Sequence, residues 1–285
     1  MTTAGLQVLG LGEVLWDMLP EGKRCGGTPA NVIWHLGRLG IRGAVVSAVG
    51  NDPLGDELLD FLAEKGLDTS WIARNDLPTG QVEVSLNNGI PSYDIAYPSA
   101  WDAIGVPETL KSELSGVSAA VYGTLAQRDE RSRSAIRSVL AALPESCWKL
   151  FDINLRQQFY DAEMIHDSLE LANVLKINDE ELPVVAGLFG LPDRRDEAAA
   201  LLLKRWNLRY VILTLGADGS MLYDGRNCSV FPAGKCEKVE DTVGCGDAFL
   251  AAWCAAMLHG ETPEQAMLAG SELAARVAEQ KGALF

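Results

Sequence analysis

The 285-residue chain is 48% apolar with 7 Trp, 7 Phe and 6 Tyr, enough for one large globular unit and too much for a disordered chain. Its 39 acidic and 24 basic residues give a formal charge of −15, which disfavours nucleic acid and anionic lipid as partners, although backbone N–H groups can still bind a phosphate locally. No stretch approaches the roughly 18 apolar residues of a membrane span, the first residues carry no basic leader segment, and six Cys without a C-x-x-C pair fit reduced thiols, so no membrane partner and a cytoplasmic protein are expected.

In chain order, Gln7-Val-Leu-Gly-Leu-Gly12 reads as a strand and is followed by Gly26-Gly-Thr-Pro29 and a helix over 30–39. A second strand, from Gly43, precedes a helix over 54–65 whose Leu58, Leu59, Phe61 and Leu62 share one face. Residues 79–98 alternate apolar and polar side chains around Asn87-Asn-Gly89, the signal of a hairpin. That hairpin is either a lid over a ligand site or an ordinary sheet edge. Further strands are predicted at 119–122, 149–153, 174–177 and 210–214, separated by helices near 131–142, 161–171 and 196–206. Strands alternating with helices of this length specify an α/β fold, a doubly wound and mainly parallel sheet flanked by helices.

The segment Asp241-Thr-Val-Gly-Cys-Gly-Asp247 runs directly into an apolar stretch ending at Leu258, read as a buried helix. Such a helix must still satisfy its first free N–H groups. Gly244 and Gly246 remove side-chain bulk there, so an anion can reach the backbone. Asp247 in the first turn either complements the helix dipole or accepts a proton beside that anion. A thiol at Cys245 would have its thiolate favoured by the helix terminus, an effect that Asp247 opposes. There is no G-x-G-x-x-G after the first strand and no G-x-x-x-x-G-K-[ST] anywhere, which removes a Rossmann oxidoreductase and a P-loop enzyme.

The segment 241–249 resembles the DTxGAGD signature of the PfkB, or ribokinase-like, carbohydrate kinases, with Cys245 where Ala is usual. Four more segments match in the family's order. Gly26 to Asn31 resembles its GGxxxN motif, Asp152-Ile-Asn-Leu-Arg156 its D-x-N-x-R segment, Asn178-Asp-Glu-Glu181 its N-x-x-E motif, and Thr214-Leu-Gly-Ala-Asp-Gly219 its TxGxxG. The resemblance implies one ribokinase-like kinase domain over 1–285, with β lid elements at about 13–25 and 79–98 and a homodimer joined through them. It implies ATP and Mg2+ as cofactors, a small neutral sugar as acceptor, and Asp247 as the base. The amides of Gly244, Cys245 and Gly246 would form the anion hole, with Arg156 near the transferred phosphate or the sugar. Asp17, Gly27 and Asn31 would bind sugar hydroxyls, and Asn178 and Glu181 would organise magnesium through water. Thr214, Gly216, Gly219 and Gly282 would line the nucleotide site, and Asp241 and Thr242 match positions that hold a monovalent cation, K+, in some members. Asp152 either shares in the transfer chemistry or holds Arg156 in place, and it is left outside the catalytic set. The wording of 26–31 and 91–104 is most like fructokinase-type members, making fructose the implied acceptor, with Tyr97 and Trp101 either over a sugar face or in the core. The rival readings are a kinase of another acceptor (ribose, a 2-keto-3-deoxy sugar acid, a nucleoside or a sugar phosphate) and a non-catalytic sugar-binding protein on the same fold.

Overall fold

The computed structural model describes residues 7–87 and 90–284. Strand β1 (Val8–Leu11) leads into β2 (Leu15–Leu19) and β3 (Gly22–Gly26), then α1 (Thr28–Arg38), β4 (Gly43–Gly50), α2 (Pro53–Glu64) and β5 (Ile72–Asn75). The middle of the chain forms β6 (Gly80–Asn87), β7 (Ile90–Ile95), α3 (Glu108–Glu113), β8 (Ala119–Gly123), α4 (Glu130–Ala142), β9 (Trp148–Asp152), α5 (Ala162–Leu171) and β10 (Val174–Asn178). There follow α6 (Glu181–Phe189), α7 (Arg195–Arg205), β11 (Tyr210–Thr214), β12 (Ser220–Tyr223), β13 (Cys228–Phe231), α8 (Cys245–Leu258) and α9 (Pro263–Ala278).

Nine strands make one sheet in the order β13-β12-β11-β10-β9-β8-β1-β4-β5. All its pairs are parallel except those of β12 and β13, which extend the edge antiparallel. Successive strand residues point to opposite faces, so Leu9, Leu175 and Tyr122 enter one core while Val8, Val174 and Val121 enter the other. Helices α4 to α7 cover the first face, and α1, α2, α8 and α9 the second. Helix α1 starts at Thr28, two residues earlier than predicted, because Pro29 is tolerated in a first turn that needs no N–H. Side chains of Asp52, Asp129, Asp161 and Thr262 cap α2, α4, α5 and α9.

Strand order reverses beside β1, whose neighbours are β4 and β8. In an open parallel sheet a ligand crevice forms at the carboxyl ends of the strands around such a point. A second, four-stranded sheet, β3-β2-β6-β7, stands over that end. It joins the two segments read as lid elements, with β2 parallel to β6 and β6 antiparallel to β7. Asn88 and Gly89 of the predicted turn lie outside the described residues. Trp101 does not face a ligand: it is fully buried in the first core, with the Arg128 guanidinium 3.9 Å from its ring centroid. Tyr97 is exposed and hydrogen-bonds Asp129, away from the crevice. Among the described residues, no helix is long and apolar enough to cross a membrane.

Candidate active site

Helix α8 is buried on every side from Ala248 to Ala256, so only its N-terminus reaches a ligand. Gly244 sits just before it with φ +82, a left-handed conformation that glycine adopts without strain. The N–H of Cys245 donates to the Thr242 carbonyl at 3.2 Å, closing the turn. Among the described residues no acceptor takes the N–H groups of Gly244, Gly246 or Asp247. The expected anion hole therefore differs in one member, with the Cys245 amide committed to the turn. Burial, then the charges of Asp241 and Asp247, push the Cys245 thiol up to about 11, so the helix terminus does not yield a thiolate.

Asp247 opens into the cleft from the first turn of α8. Its Oδ2 accepts from Asn31 Nδ2 at 2.7 Å, and the Thr28 hydroxyl is its second hydrogen-bond partner. Burial and the Asp152 charge raise its carboxyl to about 6, against the lowering effects of Asn31, Lys176 and Thr28. Asn31 is buried with its Oδ1 unpartnered, an acceptor held ready for a donor from outside the chain. Gly27, at φ +114, could carry no side chain, since a Cβ would stand 2.3 Å from the Glu13 carbonyl oxygen. Gly26 likewise leaves room for Asp17, whose Oδ2 would lie 2.6 Å from an added Cβ. Burial raises Asp17 to about 6 despite Arg156 and Arg24.

Glu13 belongs to the same wall and was missed in the sequence. It is buried, accepts from the Thr28 N–H at 3.3 Å, and is raised to about 7 by desolvation against the pull of those bonds and Arg156. Its only sequence signal is its place in a Gly-Glu pair at the end of the first strand, four residues before Asp17.

The segment after β9 separates into three tasks. Asn154, with φ 44, donates to the Thr28 hydroxyl at 2.9 Å, and Arg156 lies in the cleft facing the charges of Glu13 and Asp17. Asp152 does not hold Arg156 as expected. Both its oxygens take Lys176 Nζ at 2.9 Å, because Lys176 is its register partner on the adjacent strand β10.

Thr214, Gly216, Gly219 and Gly282 line the far end of the cleft with Ala275 and Gly234. Gly234 packs so closely that a Cβ would meet the Ser271 carbonyl oxygen at 2.3 Å, leaving a slot with little side-chain bulk for a flat group. Asn178 Oδ1 accepts the N–H groups of Glu180 and Glu181, and each Glu181 oxygen accepts one backbone N–H, from Leu155 or Asn178. Among the described residues no group of three or more His, Cys, Asp or Glu side chains is placed to hold a metal. Magnesium fits here only with phosphate oxygens and water as most of its ligands. A monovalent cation at Asp241 and Thr242 fits poorly. Asp241 Oδ2 already accepts from Arg24 at 3.3 Å and Gly282 N–H at 3.1 Å, Oδ1 accepts from Val243 N–H, and the Thr242 carbonyl takes Cys245. A separate 410 Å³ pocket between α1 and α9 contains none of these residues.

Residues 21–285 match the pfkB family carbohydrate kinase profile. The chain is 29% identical to a fructokinase of Klebsiella pneumoniae over 96% of its length and 91% of the relative's. It is 27% identical to an ATP-dependent 6-phosphofructokinase of Thermoanaerobacterium thermosaccharolyticum, covering 97% and 89%. The fold is shared with the ATP-bound fructokinase of Xylella fastidiosa at TM-score 0.85 and 23% identity, covering 98% and 94%. It is also shared with the aminoimidazole riboside kinase of Salmonella enterica at TM-score 0.83 and 24% identity, covering 98% and 95%. A match over almost the whole chain, which includes the α8 turn and most of the cleft it opens into, places this protein in the pfkB family of carbohydrate kinases.

Proposed function

We propose that the protein transfers the γ-phosphoryl group of ATP to a hydroxyl of an unphosphorylated sugar, with fructose the acceptor that its wording resembles most. The carrying observation is the chemistry of the acceptor wall. Glu13, Asp17, Asp247 and the unpartnered Asn31 Oδ1 converge there, with the charge of Arg156 reaching Glu13 and Asp17 and that of Arg24 reaching Asp17. Three carboxyls suit hydroxyl donors and repel a sugar phosphate, the acceptor that a phosphofructokinase takes.

In this reading the sugar hydroxyl attacks the γ-phosphorus in line and gives its proton to Asp247. The free N–H groups of Gly244, Gly246 and Asp247, at the positive end of α8, stabilise the oxygens of the group in transit. Arg156 stands at the same opening, and Asn31 holds the Asp247 carboxylate in place through its 2.7 Å bond. Asp17 and Asn31 bind sugar hydroxyls, and the 214–219 turn with Gly282 receives the nucleotide. Magnesium, steadied near Asn178 and Glu181 through water, would neutralise phosphate charge. The four-stranded sheet is the lid of a single kinase unit, closing to exclude water, and its outer side is where two copies would pair.

Asp247→Asn keeps shape and removes the base, so turnover should fall by about 10²–10⁴-fold while sugar affinity and melting temperature hold. Near wild-type turnover would refute the assignment. The deprotonated carboxylate is the active form, so wild-type kcat/KM should be present above about pH 6 and lost as pH falls through it. An acceptor panel of fructose, fructose 6-phosphate, ribose and aminoimidazole riboside, read by ADP release, names the substrate. Preference for the sugar phosphate would overturn the reading of the wall.

A further inference from the structure

Lys176 has no role in the chemistry above, yet it occupies the floor of the site. Strand β10 is otherwise Val, Leu, Ile and Asn, and a lysine in its middle is buried together with its ammonium group, its side chain 8% exposed. A buried ammonium is costly unless paired, and Asp152 pairs it with both oxygens at 2.9 Å. Such a pair contributes little net stability compared with apolar residues of the same shape. Its location is what needs an account. A Cβ at Gly246 would stand 3.2 Å from Lys176 Nζ, so the ammonium lies directly beneath the first turn of α8, the turn that carries Asp247.

We propose that Lys176 is a positioning residue for the base: its ammonium, fixed by Asp152 under the α8 turn, keeps the Asp247 carboxyl ionised at neutral pH. Asp152 has the complementary part, offsetting enough of that positive charge for the carboxylate to remain able to take a proton. Charged and titratable groups reach Asp247 from four elements. Asp152 comes from β9, Lys176 from β10, Glu13 from the loop after β1, and the Cys245 thiol from α8 itself, while the neutral Asn31 and Thr28 of α1 hydrogen-bond it. Lys176 in turn feels Asp152, Glu181 and Asp247, all of which favour its charged form over the opposing cost of burial.

The proposal rests on Asp247 being the base, which Asp247→Asn reads separately: retained turnover in that variant defeats the base assignment and this inference together. With the base confirmed, the pH profile of kcat/KM for the sugar is measured in Lys176→Met, Asp152→Asn and the double variant, with melting temperatures alongside. Lys176→Met leaves the negative charge of Asp152 uncompensated, so the acid limb should rise by about one pH unit, the lower end of a nearby charge's effect. Asp152→Asn leaves the ammonium uncompensated, and the limb should fall. The double variant, neutral at both positions, should bring the limb back up from the Asp152→Asn position to the wild-type one or somewhat below it, because Asp152 acts on Asp247 more strongly than Lys176 does. A merely structural pair would lower stability or turnover with no movement of the limb. Limbs that superimpose in all folded variants, or shifts of one sign in both single variants, would overturn the proposal. If Lys176→Met alone does not fold, the lowered limb of Asp152→Asn and its return in the double variant carry the same test.

Discussion

Two buried ionisable side chains show how differently a charge can be held in this protein. Glu13 has a backbone N–H and the remote charge of Arg156, but no ion pair among the described residues, and burial raises it from 4.5 to about 7. The folded state therefore binds a proton more tightly than the unfolded chain, and the stability this confers is lost as pH rises from about 4.5 through 7. Glu13→Gln keeps an oxygen for the Thr28 N–H and has no charge to bury. It should lose roughly 2–3 kcal/mol less than wild type between pH 5 and pH 8. Urea melts at the two pH values check this; identical losses would mean that Glu13 is solvated as in the unfolded chain. Arg128 is held the opposite way. It makes two bonds of 2.8 Å to the oxygens of Asp102, both side chains at most 2% exposed, and packs against Trp101 and Phe159. Arg128→Ala would strand the Asp102 carboxylate in the core, at a cost of about 3–5 kcal/mol in unfolding free energy. A loss below 1 kcal/mol would show that water replaces the guanidinium.

At the scale of elements, α8 was the most legible part of the chain, because two glycines, an acid and an all-apolar run state both where a buried helix begins and what its end can bind. The alternation of strands with helices likewise announced the parallel sheet and its two cores. What stayed hidden depends on register. Lys176 and Asp152 are 24 residues apart, and only the pairing of β10 with β9 brings them opposite one another, so Arg156, nearer in sequence, was the natural partner to expect. Trp101 was ambiguous for a related reason, since its burial depends on Arg128 arriving from the turn before α4. The sequence marked Gly244 as a glycine needed for anion access, and the structure adds a second requirement. An added Cβ would stand 2.5 Å from Ala283 Cβ and 2.9 Å from its Cα, at a backbone φ of +82. Gly244→Ala must push the C-terminal segment away from the turn, costing about 1–3 kcal/mol in stability from strain and overpacking. Because Gly282 belongs to that segment and lines the end of the cleft proposed for the nucleotide, KM for ATP should rise while KM for the sugar changes little. Equal rises in both would place the damage at the anion hole instead.

Over the whole molecule, the question is what couples the small sheet to the large one. Arg24, on β3, reaches Asp241 across 217 residues of sequence, and Lys23 beside it pairs with Glu57 at the end of the first turns of α2. Asp241 lies three residues before Gly244 and also accepts the Gly282 N–H, so one carboxylate ties the small sheet to the turn before α8 and to the far end of the cleft. The Arg24 side chain is 37% exposed, which limits such a bridge to about 1 kcal/mol or less. That weakness suits the lid proposed for the small sheet, which would have to open again in every cycle, whereas a strong latch would trap product. Arg24→Ala should leave the melting temperature almost unchanged and lower the fraction of closed lids, raising the apparent KM for the sugar by no more than about five-fold, the equivalent of 1 kcal/mol. Added salt should raise KM in wild type and have less effect in the variant, because the screened interaction is already gone. The same guanidinium and the Gly282 and Val243 N–H groups already occupy both oxygens of the Asp241 carboxylate, so replacing potassium with choline should not reduce wild-type turnover. In Arg24→Ala the carboxylate is released, and potassium should then stimulate. A potassium requirement in wild type with none gained in the variant would show that Arg24 leaves Asp241 when the lid closes, making the bridge a feature of the open enzyme.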